Sequence, residues 1–91
     1  MFATKLHRGR ARFTVNPAAG AGRVAIAGSF SDWKQIPMPR RGEGTFGAEL
    51  VMEPGSYEYR FIVDGLWITD PDNCNQAANQ YGAMNSVALF E

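Results

Sequence analysis

From Tyr57 to Val63 the chain alternates, with Tyr57, Tyr59, Phe61 and Val63 set against Glu58, Arg60 and Ile62. A period of two sends successive side chains to opposite faces of a strand, so the odd positions predict a core face and the even positions an outer one. Asp64-Gly65 comes next, the dipeptide that most readily takes up the positive φ angles of a two-residue hairpin turn. That loop puts Val63 opposite Leu66, Ile62 opposite Trp67 and Phe61 opposite Ile68. Leu66 and Ile68 then join the core, and Trp67 is left on the outer face beside Ile62 and diagonal to Arg60. A three-residue loop with a bulge shifts the register by one and buries Trp67 instead.

The same alternation recurs along the chain. Ala11, Phe13 and Val15 alternate with Arg10, Arg12 and Thr14 in a strand expected over residues 9–16, ended by the turn-rich "NPAAGAG". "RVAIAG" carries Val24 and Ile26 on one face and alanines on the other, and residues 45–52 set Phe46, Ala48, Leu50 and Met52 against Thr45, Gly47, Glu49 and Val51. The closing "SVALFE" has Val87 and Leu89 on one face. Two longer stretches, "SFSDWKQIPMPRRGEG" and "DPDNCNQAANQYGAMN", have no period and are expected to be irregular. Six or seven short strands with no 3.6-residue apolar repeat predict an antiparallel β-sandwich. Long loops in compact domains commonly carry function, which directs attention to these two stretches.

Ninety-one residues support one hydrophobic core, so residues 1–91 are read as a single domain with no room for a separate catalytic one. No apolar run is long enough for a signal peptide or a membrane span, so the expectation is a cytoplasmic protein without a membrane partner. Cys74 is the only cysteine, and its neighbours supply neither metal-ligand spacing nor a base, so no disulfide, metal or other cofactor is expected. Net charge is zero but segregated: residues 1–41 hold eight of the nine bases, and residues 42–91 eight of the nine acids. The basic "KLHRGRAR" is read as the solvated face of a strand beside acidic ones; a pI of about 6.6 argues against a nucleic-acid partner.

Alternation does not assign Trp33, Trp67 and Tyr81 to the core, and each lies in or beside an irregular stretch. Lys34, Arg60, Asn79, Gln80 and Asn85 surround them in sequence. Flat apolar plates beside directional donors and acceptors suit a sugar, whose C–H face lies on an indole and whose hydroxyl rim needs partners. The alternative is that Trp33 is a buried loop anchor, since tryptophan is usually well covered. Catalysis lacks support. A glycosidase needs two facing carboxylates, Asp64 and Asp70 belong to turn signals, and the one histidine, His7, lies in the terminal arm.

The runs "VAIAGSFSDWKQIPM", "YEYRFIVDGLWITDP" and "YGAMNSV", in this order across about two thirds of the chain, resemble the glycogen-binding type of carbohydrate-binding module. That type occurs in the β subunits of AMP-activated protein kinase and at the N-terminus of isoamylases and branching enzymes. The resemblance implies an all-β, early-set immunoglobulin-like sandwich of about seven strands that binds α-glucans such as glycogen, starch or maltooligosaccharides without catalysis. It also implies a setting beside a glycogen-metabolising enzyme or a kinase. The platform tryptophans of the family match Trp33 and Trp67, its basic residue matches Arg60, where lysine is common, and its closing asparagine matches Asn85. A loop residue that wedges against the glucan, leucine in kinase β subunits, falls at Tyr81. Asp32 stands where many members have asparagine. The competing expectation is an interaction or regulatory adaptor that keeps the sandwich and has lost the sugar.

Overall fold

The computed structural model describes residues 9–17 and 21–90. Lys5, His7 and Arg8 of the basic arm lie outside the described residues. Within them the chain forms nine strands: β1 (Arg10–Val15), β2 (Val24–Gly28), β3 (Ile36–Pro37), β4 (Arg40–Gly42), β5 (Thr45–Val51), β6 (Gly55–Val63), β7 (Leu66–Ile68), β8 (Gln76–Ala78) and β9 (Met84–Phe90). A 3-10 turn spans Ser29–Ser31. All pairings are antiparallel. One sheet has the order β1-β5-β4; the other runs β3-β2-β6-β9-β8, with β7 also paired to β6. The two sheets pack as an antiparallel β-sandwich, as the alternation predicts, of the immunoglobulin-like kind that the resemblance implies.

The core forms where the inward faces meet. Ala11, Phe13, Val15, Phe46 and Ala48 come from the three-stranded sheet, and Val24, Ile26, Tyr59, Phe61, Ala88 and Phe90 from the other. Aromatic edges interlock across it: Phe13 meets Tyr59 at 5.0 Å and Phe90 at 5.9 Å between ring centroids, both edge-on. Such contacts add about 0.5–1.5 kcal/mol each beyond the area they bury. On the far side of β1, Arg12 pairs with Glu49 directly opposite it, at 2.7 Å. The guanidinium holds the Glu49 carboxyl below its ordinary range. The acidic neighbour expected beside the basic strand is a single residue, Glu49 of β5.

Several expectations need correction. Leu66 does not enter the core; it is 67% exposed, because it stands at the turn end of the three-residue β7, where no strand of the described residues covers it. In β9, Val87 and Leu89 do share one face, as expected, and it is the outer one: Ser86, Ala88 and Phe90 point inward, leaving Leu89 exposed and Val87 half-buried. The two stretches expected to be irregular contain β3, β4 and β8, strands of two or three residues that are too short to show a period.

A polar cluster sits at the edge of this core. The Tyr59 hydroxyl donates to Asp70 Oδ2 at 2.7 Å and accepts from Asn73 Nδ2 at 3.0 Å, while Ser86 Oγ accepts from Asp70 N at 2.7 Å. Asn73 Nδ2 also donates to the Val87 carbonyl at 2.9 Å. Asp70, Asn73 and Ser86 are all buried, so the loop leaving β7 is fastened to β6 and β9 and delivers the chain to β8 in a fixed place. Burial pushes the Tyr59 phenol well above its ordinary value.

Candidate functional site

Three local structures on the outer face of the larger sheet build the site. The first is the β6–β7 hairpin. Asp64 and Gly65 both take positive φ, 49° and 87°, as a two-residue type I′ turn requires. The register is Val63 opposite Leu66, Ile62 opposite Trp67 and Phe61 opposite Ile68, which sets Trp67 outward. Asp64 also fastens the turn to the loop before β2, since its carboxylate accepts from Arg23 N at 2.8 Å and Gly22 N at 3.1 Å.

The second is the segment "GSFSDW". Gly28 closes β2 in extended conformation, where a Cβ would come within 2.5 Å of both the Glu58 carbonyl and the Phe30 ring, so only glycine fits. Phe30 reaches inward to Phe13, 5.7 Å between ring centroids. Ser29 Oγ accepts from Glu58 N at 3.1 Å, tying the turn to β6. Ser31 Oγ donates to the Lys34 carbonyl at 2.8 Å and accepts from Gly28 N at 3.3 Å. Asp32 and Trp33 are then both left-handed, φ 55° and 61°, and Trp33 N donates to the Gly28 carbonyl at 2.9 Å. Consecutive left-handed residues other than glycine are uncommon and costly, and here every bond of the loop contributes to placing one indole.

The third is the β8–β9 turn. Asn79 Oδ1 accepts from Tyr81 N at 2.9 Å and Ala83 N at 3.0 Å, Asn79 N donates to the Ala83 carbonyl at 2.8 Å, and Gly82 takes φ +83°. Tyr81 is thereby held at the tip, 84% exposed.

These elements enclose a groove of ≈ 570 Å³ lined by Trp33, Glu58, Arg60, Trp67, Ala78, Asn79, Gln80, Tyr81 and Asn85. Trp33 and Trp67 remain 38% and 37% exposed, so neither indole is swallowed by the core. The structure brings all five expected residues, Trp33, Arg60, Trp67, Tyr81 and Asn85, to this one groove. Lys34 is not in its lining, and Asn79 spends its side-chain oxygen on its own turn. Arg60 Nε donates to the Met84 carbonyl at 3.0 Å, which orients the guanidinium on the sheet. Asn85 is buried, and its Nδ2 donates to Glu58 Oε1 at 3.2 Å. Glu58 carries no distinct signal in the sequence, although the parity that turns Arg60 outward turns Glu58 outward as well.

A larger hollow of ≈ 880 Å³ includes Arg23, Pro37, Met38, Arg40, Phe46 and Asp64 in its lining. Phe46 is buried there beneath the Arg40 guanidinium, 4.9 Å from its ring centroid, so this hollow lacks an open aromatic plate. Among the described residues no group of three or more histidine, cysteine or acidic side chains could hold a metal ion.

A sandwich with two half-open indoles over a floor of hydrogen-bonding groups has the architecture of a carbohydrate-binding module. The chain belongs to the family described as the glycogen recognition site of AMP-activated protein kinase, whose model matches residues 6–90. It is similar to 5'-AMP-activated protein kinase subunit beta-1 of Sus scrofa, 35% identical over 79 residues, which cover 86% of this chain and 63% of that one. The corresponding subunit of Bos taurus is 37% identical over 79 residues, of which this chain spans only 28% of the length. Protein FLOURY ENDOSPERM 6, chloroplastic, of Oryza sativa subsp. japonica is 47% identical over 57 residues, 62% of this chain and 10% of that protein. The chain thus spans less than two thirds of these relatives. Among solved structures, apo pullulanase from Paenibacillus barengoltzii shares the fold, with a TM-score of 0.59 and 21% identity over 94% of this chain and 13% of the pullulanase.

Proposed function

We propose that this domain is a non-catalytic, cytoplasmic module that holds α-glucan chains, with glucose rings stacked on Trp33 and Trp67 and hydroxyls bonded by Arg60 and its neighbours. One observation carries the reading: two partly exposed indoles from different loops line a single groove with polar groups between them. Membership of a glycogen recognition family supports the choice of α-glucan over other sugars. Tyr81, fully offered at the tip of its turn, is placed to lean on the far side of a bound chain. A shallow open site of this kind gives a Kd of roughly 10 µM to 1 mM, or about 4–7 kcal/mol.

The kinase-subunit relatives also support a domain that works beside a kinase or a glucan-metabolising enzyme. The exposed Arg10, Arg12 and Arg41, on the strands of the smaller sheet, leave that partner a surface away from the groove.

Native gel electrophoresis in amylopectin or glycogen tests the glucan reading. Wild type should be retarded and Trp67→Ala should migrate freely; equal mobility of the two rejects it.

A further inference from the structure

Resting on the glucan reading above, we propose that Glu58 sets the charge selectivity of the groove, cancelling Arg60 and thereby fitting the site to uncharged glucose units rather than phosphorylated or carboxylated ones. Glu58 and Arg60 lie two residues apart on the same face of β6, about 7 Å along the strand, and both line the groove. Among the described residues they are the only carboxylate and the only cation in its lining.

Neither is consumed by the other. Arg60 is anchored through Nε to the Met84 carbonyl, which leaves its terminal NH2 groups as donors. Glu58 is anchored through Oε1 by the Asn85 amide, which leaves Oε2 as an acceptor. The floor therefore presents a fixed donor beside a fixed acceptor. Each sugar hydroxyl can both give and take a hydrogen bond, so a vicinal diol satisfies the pair. A phosphate or carboxylate offers acceptors only; it gains Arg60 but meets Glu58 with like charge. The exposed Asp32 and Lys34, which flank Trp33 in the chain, carry opposite charges and so add no net bias. Asn85, which touches Glu58 rather than open solvent, is a positioning residue that holds the carboxylate toward the groove.

The test compares wild type, Glu58→Gln and the double variant Glu58→Gln/Arg60→Gln. Calorimetry at about 10 mM ionic strength uses β-cyclodextrin, its neutral hydroxypropyl derivative and its anionic carboxymethyl derivative. Glutamine keeps the size of Glu58 and can still accept from Asn85, so the fold is retained, which thermal unfolding checks. Glu58→Gln should bind neutral β-cyclodextrin about 3- to 10-fold more weakly, having lost a charge-assisted acceptor. It should also shift the carboxymethyl-to-hydroxypropyl affinity ratio toward the anionic ring by about five-fold, an effect that shrinks in about 1 M salt and disappears in the double variant. If wild type binds the neutral ring and Glu58→Gln leaves the ratio unchanged, the assignment to Glu58 is wrong. If wild type binds no ring at all, the glucan reading fails, and this inference with it.

Discussion

Trp33 N donates to the carbonyl of Gly28 at 2.9 Å, so the residue that closes β2 also fixes the start of the indole plate five positions later. Core and site are thereby linked through one backbone bond. The tightness at Gly28 is transmitted directly to the groove.

Gly28→Ala is therefore expected to damage both stability and binding. The added methyl meets a backbone oxygen and an aromatic ring at 2.5 Å, and relieving the overlap must move β6 or expel Phe30. A loss of about 1–3 kcal/mol is expected from denaturant unfolding. Any folded fraction should bind glucan more weakly although no groove residue has changed.

Position 32 is governed by its backbone. Asp32 takes φ 55°, a region that Asp and Asn enter more easily than other side chains. Asp32→Asn should alter stability by no more than about 0.5 kcal/mol, whereas Asp32→Val should lose about 1–3 kcal/mol in the same unfolding experiment.

Alkaline stability reports the polar cluster under the β7–β8 loop. Tyr59 has a folded pKa raised above its ordinary value near 10, chiefly because burial disfavours the phenolate. A raised pKa of this kind contributes stability that is complete below about pH 10 and is lost as pH climbs above it. Melting temperature should accordingly fall above about pH 10 in wild type. Tyr59→Phe should remove this part of the pH dependence and cost about 1–3 kcal/mol at neutral pH, because Asp70 stays buried without its hydroxyl donor.

Asn79→Ala removes the acceptor for Tyr81 N and Ala83 N at the β8–β9 turn. About 1–2 kcal/mol of stability should be lost. Because Tyr81 is no longer held at the tip, amide exchange over residues 79–83 should speed up and glucan affinity should drop by a few-fold.

Much of this architecture can be read from the chain, for identifiable reasons. Period-two alternation fixes which face each residue of β6 occupies, and Asp64-Gly65 fixes the register that turns Trp67 outward. Alternation does not report how far the opposing sheet extends, so Leu66 has core parity and yet stands in solvent. Strands of two or three residues leave no period to detect, and β3 contains a proline. Asp70, Asn73 and Ser86 have the composition of a solvated loop, and only their mutual hydrogen bonds reveal that they are buried. Glu58 was legible beside Arg60 by the same alternation, but a carboxylate among aromatics gives no distinct signal until Asn85 is seen to hold it.

The chain contains two tryptophans, and both indole N–H groups can be followed separately in one 15N–1H correlation spectrum. Titration with maltoheptaose should move the Trp33 and Trp67 signals together along a single binding curve, each assigned by its own Trp→Phe variant. A titration in which neither indole signal moves, or in which only one responds, would contradict a shared stacking platform.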